Sequence, residues 1–149
     1  MGTYVDEVAY PYPYLNAGPI FDLQRIEVLK GPQGTLFGRN TTAGLINLVT
    51  NRPTDEFEAM VRAEVGNFET TNFEGMASGP LGDSFGARLA VRSERSNEGW
   101  QKSNTRDSKL GEVDRQGARL ALTWEPGDKT LVEFSYNWWE SQSDMLAAQ

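Results

Sequence analysis

Hydrophobic and polar residues alternate with period two in five segments of the second two-thirds of the chain. In 57–65 the apolar positions are Phe57, Ala59, Val61, Ala63 and Val65, set against Glu58, Arg62 and Glu64. The pattern is weaker in 71–79 and returns in 85–91, where Phe85, Ala87, Leu89 and Val91 oppose Arg88 and then Arg92. Ala118, Leu120, Leu122 and Trp124 oppose Arg119 and Thr123; Thr130, Val132, Phe134, Tyr136 and Trp138 oppose Glu133, Ser135 and Asn137. Successive side chains of a strand point to opposite faces, so each segment predicts an amphipathic β-strand.

The connections predict an antiparallel order. Gly79-Pro80-Leu81-Gly82-Asp83 and Glu125-Pro126-Gly127-Asp128 read as tight turns, and Gly66-Asn67-Phe68 as a short one. Residues 93–114 read as a long polar loop around Gly99 and Trp100. Alternation alone fits a soluble sheet with a buried face or membrane strands with a lipid-facing one. Short turns opposite a longer loop, with Phe85 and Trp124 at one end of the apolar band and Tyr136 and Trp138 at the other, fit the membrane case.

The chain has 149 residues, 38% of them hydrophobic, below the roughly 45–50% usual for a soluble globular domain. It contains no cysteine and no histidine, which removes the commonest metal ligands, thiol nucleophiles and the general base that works near neutral pH. No metal site, cofactor or catalytic residue is expected, and the chain does not read as an enzyme. A net charge of −7 with scattered basic residues argues against nucleic acid as a partner. No apolar run is long enough for a transmembrane helix, and the opening residues do not read as a signal peptide.

Before Pro53 the texture changes to short apolar runs broken by Gly and Pro, predicting a boundary between 1–53 and 54–149. Arg25 to Lys30 alternates Ile26 and Val28 with Arg25 and Glu27, as a strand does; Gly31-Pro32 ends it. Residues 33–37 leave room for one helical turn, Gly38-Arg39-Asn40 for a bend, and Gly44 for close approach as a second strand begins. Gly31, Gly34 and Gly38 do not make a phosphate cradle, because no Gly-Lys-Ser or Gly-Lys-Thr follows.

The run 25–50, with Arg25, Glu27, Gly31, Pro32, Gly34, Gly38, Arg39 and Gly44, closely resembles the C-terminal half of the plug domain in TonB-dependent receptors. The resemblance implies a mainly β fold: a plug-domain fragment followed by about five antiparallel strands of a transmembrane β-barrel, which in the full-length family has 22 strands around a plug. It implies a bacterial outer-membrane location and energy-coupled uptake of a scarce nutrient such as an iron–siderophore complex. The implied partners are a small organic or metal-chelate ligand and the TonB complex, contacted through an N-terminal segment that this sequence lacks. Plug charges Arg25, Glu27, Lys30 and Arg39 are then expected to face Arg62, Glu64, Arg88, Arg92, Arg119 and Glu133 on the inner barrel wall. The loop after Val5-Asp6-Glu7-Val8, where Glu7 replaces the family's usual glycine, offers Tyr10, Tyr12, Tyr14 and Asn16 as ligand contacts. A passive porin and a soluble β-rich binding or adhesion module are the rival functions. The porin has no reason to carry the 25–50 run, and the soluble module requires a second sheet.

Overall fold

The structure, a computed structural model, describes residues 2–10, 18–32, 34, 43–102, 109–127 and 129–143. It divides into two compact units, Met1–Asn51 and Arg52–Gln149. No helix among the described residues is long and apolar enough to cross a membrane, which leaves crossing by strands open.

The first unit is a four-stranded sheet formed by β1 (Gly2–Val5), β2 (Val8–Ala9), β3 (Leu23–Lys30) and β4 (Gly44–Thr50), in the order β2-β1-β4-β3. β1 runs parallel to β4; the other pairs are antiparallel. One face carries Tyr4 and Leu45, both buried, beside the polar Asn47 and Glu27. On the other, Ile26 and Val28 are more than half exposed. Strand β3 thus forms where the alternation predicts it, but its apolar side is the uncovered one, and Glu27 is hydrogen-bonded on the covered side.

Between β1 and β2, Asp6 (φ 47°) and Glu7 (φ 67°) both occupy the left-handed region, as a two-residue hairpin of this twist requires. That is the physical reason a glycine suits position 7. A side chain there costs about 1 kcal/mol. Glu7→Gly is expected to stabilise the first unit by about that amount, seen as slower hydrogen exchange at Tyr4 and Val5.

The second unit is a five-stranded antiparallel sheet of β5 (Glu58–Gly66), β6 (Thr70–Gly82), β7 (Phe85–Ser96), β10 (Val113–Gly127) and β11 (Thr130–Ser141). A two-residue hairpin, β8 (Gln101–Lys102) with β9 (Lys109–Leu110), lies between β7 and β10. The sheet is open, with β5 and β11 at its edges. Twelve residues at ~3.3 Å each, tilted by ~45°, rise through ~28 Å, close to the thickness of a bilayer's hydrocarbon core.

The strands outrun the sequence pattern at both ends. β6 continues through Pro80 to Gly82, so the turn is confined to Asp83 and Ser84; β10 likewise continues through Pro126. The ladder shifts register between Pro80 and Gly82 and between Trp124 and Gly127, because proline has no N–H to give and a bulge absorbs the mismatch. At the opposite end, Ser93, Glu94 and Arg95, expected in a loop, pair with both β6 and β10. Partners on both sides outweigh their weak strand preference.

Candidate functional site

A polar node joins β3, β4 and the β1–β2 turn of the first unit. The buried Asn47 side chain accepts from the Glu7 backbone N–H (3.2 Å) and donates through Nδ2 to Glu27 Oε2 (3.0 Å). Arg25 Nε holds the other Glu27 oxygen at 2.7 Å, and Arg25 Nη1 donates to Gln24. One turn of chain further on, Asp6 accepts from both the N–H and the hydroxyl of Thr50, each at 2.8 Å. The Asp6-Glu7 turn is therefore fastened to β4, and β4 to the edge strand β3.

Glu27's carboxyl is held below its ordinary value of 4.5, first by the Asn47 amide and then by the Arg25 guanidinium, against a smaller opposing effect of desolvation. A carboxyl whose pKa is depressed on folding contributes stability above the unfolded value and loses it as pH falls through the folded one. The first unit is accordingly expected to weaken as pH drops below about 4.5. Glu27→Gln should reduce the acid-limb slope in a pH series of urea midpoints.

In the second unit, the register of the ladder sorts the side chains onto two faces. One carries rows such as Ala77, Leu89, Leu120 and Tyr136 on neighbouring strands; the other carries Glu74 beside Arg92, and Arg88 beside Ser78. The exposure is inverted relative to a soluble sheet. Apolar Val61, Leu89, Phe134 and Tyr136 are 75%, 50%, 54% and 57% exposed, whereas polar Ser78, Arg88 and Arg119 are 3%, 5% and 8% exposed.

The polar face is internally paired. Arg92 bridges Glu74 (2.5 Å) and Glu94 (2.7 Å), Arg119 Nε donates to Asn137 Oδ1 (2.6 Å), and Arg52 meets Glu133 at 2.8 Å. On the apolar face, Phe85 and Trp124 stack at 5.6 Å beside the short turn. Tyr136 and Trp138 lie nearer the far end.

All six wall charges named from the sequence, Arg62, Glu64, Arg88, Arg92, Arg119 and Glu133, fall on this one polar face. The described residues place Arg25 and Glu27 in contact, Gly31 (φ 83°) in the turn after β3, Pro32 and Gly34 just beyond it, and Gly44 (φ 111°) at the start of β4. Tyr10 extends the first hairpin, its N–H donating to Thr3 O at 2.9 Å. Tyr12, Tyr14, Asn16, Gly38, Arg39 and the anticipated helical turn at 33–37, apart from Gly34, lie outside the described residues. The sequence did not single out Asn47, Asp6 or Thr50. The available signal was Asn47 itself, a polar residue inside the apolar run Leu45-Ile46-Asn47-Leu48-Val49.

A small mixed sheet followed by long antiparallel strands that bare their apolar face and gather their charges on the other defines a segment of a plugged outer-membrane β-barrel. Comparison with known proteins is consistent with this class. The profile of the TonB-dependent receptor plug domain matches residues 1–45. The ferrichrome outer membrane transporter/phage receptor of Escherichia coli is 31% identical over 114 residues, 75% of this chain and 14% of that protein. The pesticin receptor of Yersinia enterocolitica is 35% identical over 83 residues, 54% of this chain and 12% of that protein.

Among solved structures, the ferric yersiniabactin uptake receptor of Yersinia pestis is 27% identical with a TM-score of 0.74, covering 90% of this chain and 21% of that one. The pyoverdine outer membrane receptor of Pseudomonas aeruginosa gives a TM-score of 0.78 at 19% identity, covering 94% and 20%, a likeness of fold. The chain belongs to the TonB-dependent receptors. It spans 14% and 12% of the length of the two curated relatives named above.

Proposed function

We propose that this chain serves, as part of a larger receptor, in energy-coupled uptake of a metal chelate such as an iron–siderophore complex across the outer membrane. The observation that carries the proposal is the inverted sheet, apolar outside and charged within, joined to a unit that matches the plug profile. A soluble module would bury Val61, Leu89 and Phe134, and they are at least half exposed. The relatives are named as transporters and receptors, two of them for ferrichrome and ferric yersiniabactin.

In this scheme residues 1–53 supply the C-terminal part of the plug and 54–149 the first barrel strands. The receptor performs no bond chemistry. Tyr10, Tyr12, Tyr14 and Asn16 present flat faces and polar groups to the ligand. The run containing Arg25, Glu27, Gly31, Pro32, Gly34, Gly38, Arg39 and Gly44 is the part that yields when the TonB complex pulls.

The test is uptake of radiolabelled ferric chelates by cells whose only such receptor is the complete reading frame carrying this chain. Accumulation that disappears when TonB is deleted is the expected result. Passive, TonB-independent entry would identify a porin instead and overturn the proposal.

A further inference from the structure

Residues 52–57 precede β5 and belong to no strand, yet Arg52, Pro53 and Thr54 are seated on the polar face of the second unit near the Asp83–Ser84 turn. Arg52 Nε and Nη2 hold Glu133 Oε1 and Oε2 of β11 at 2.8 and 3.1 Å, a two-pronged pair. Pro53 lies against Gly86 of β7, where a Cβ would stand 3.0 Å from Pro53 Cβ and 2.6 Å from Oγ1 of Thr123 on β10. The Thr54 N–H donates to Oγ of Ser78 on β6 (3.0 Å), and the two hydroxyl oxygens are 2.9 Å apart. Thr54 Oγ1 also donates to the Glu56 carbonyl (2.8 Å), which turns the chain toward β5.

Gly86, Thr123 and Glu133 form one cross-strand row of the polar face, and Ser78 lies in the next. The sheet order is β11-β10-β7-β6-β5, so consecutive residues meet four strands in turn before the chain enters the sheet as the fifth, at the opposite edge. Pro53, read from the sequence as a boundary, is therefore also a point of attachment.

The contacts are of unequal quality. The Arg52–Glu133 pair is exposed and contributes little alone. Ser78 is buried, so pulling Thr54 away strands a hydroxyl that water does not reach. Pro53 has a fixed φ and no N–H to leave unpaired, so it crosses the strands without needing a ladder partner. Glycine at position 86 leaves it the room to do so.

We propose that residues 52–54 form a strap that ends the mechanical path: tension carried along the chain from the first unit is taken up on the wall by Arg52, Pro53 and Thr54 and does not reach β5. β5 is an edge strand of this sheet, and a pull on its first residue would load its ladder bonds one after another. Each such bond is weak once water competes for its partners. Contacts spread over four strands share the load and fail only together. The inference rests on the receptor reading, which supplies the pull, and adds the place where the pull stops.

One test is single-molecule force spectroscopy on the complete receptor carrying this chain, held in a lipid bilayer and pulled from its N-terminus. The released length should plateau at residue 51 before any wall strand yields. In Arg52→Gln/Ser78→Ala the plateau should lengthen by at least ~50 Å, the span of residues 52–66 at ~3.3–3.6 Å each. Equal plateaus in the two proteins, or release that runs through β5 in the unaltered one, overturn the proposal.

Thr54→Cys/Ser78→Cys keeps the proposal testable should the first variant fail to fold. The two hydroxyls already stand close enough for a bridge, and this chain has no cysteine of its own. Oxidation with copper phenanthroline then fixes the strap to β6, and TonB-dependent uptake of ferric chelate should be unchanged. Uptake lost on oxidation and restored by a reductant means that the strap has to leave the wall, and overturns the proposal. Force spectroscopy needs no TonB, so the two claims fail separately. A strap that holds in a receptor without TonB-dependent uptake sinks the transport reading alone, and TonB-dependent uptake by a receptor whose unaltered chain peels through β5 sinks the strap alone.

Discussion

Gly44→Ala is expected to melt the start of β4 and to cost the first unit about 3 kcal/mol. Two effects combine. Gly44 has φ 111°, a conformation that side chains rarely adopt, and a Cβ built there stands 2.4 Å from the Leu29 carbonyl oxygen. That oxygen belongs to the backbone of the paired strand β3, so it cannot move aside without breaking the ladder. Hydrogen exchange at Leu45 to Thr50 in the complete receptor should accelerate by about a hundredfold. Gly34→Ala is the control, since a Cβ there meets nothing within 4 Å and its backbone needs no positive φ. If both substitutions leave exchange unchanged, the close approach of β3 and β4 is wrong.

A second large effect should appear on the apolar face of the five-stranded sheet. Leu89 lies on β7, the central strand, in the row formed by Ala77, Leu120 and Tyr136, and is half exposed. In a bilayer, Leu89→Arg places a guanidinium near the hydrocarbon midplane, at a cost of about 2–4 kcal/mol. Ser135→Arg, on the opposite face, should cost less than about 1 kcal/mol, because that face tolerates charge. Urea titration of the receptor folded into vesicles measures both. The discriminating outcome is the asymmetry. If Leu89→Arg proves as harmless as a surface change in a soluble protein, that face does not meet lipid.

Five strands and their shared faces were legible in the sequence, because a period of two is a local property and survives whatever the strands pair with. The wall charges Arg62, Glu64, Arg88, Arg92, Arg119 and Glu133 could be assigned to a common face on that basis alone. Strand ends were less legible. Pro80 and Pro126 look like turn residues, yet each lies within a ladder that bulges around it. Ser93 to Arg95 look like loop, yet β6 and β10 supply partners on both sides.

The polar node of the first unit was not legible, because its contacts are distant in the chain. Asn47 reaches Glu7 across 40 positions and Glu27 across 20. No local pattern encodes such a meeting. The glycine expected at position 7 was visible as a departure from the resemblance, but only the φ of 67° explains what the glycine would do.

What the sequence determined by itself is therefore the strand periodicity, the absence of cysteine and histidine, and the run 25–50 that marks the family. Each is fixed by residue identity along the chain. Tertiary structure decided which face is bare, which carboxylates the arginines meet, and that Asn47 joins Glu7 to Glu27. Those properties depend on the register between strands, and register is set only when every strand has found its neighbour.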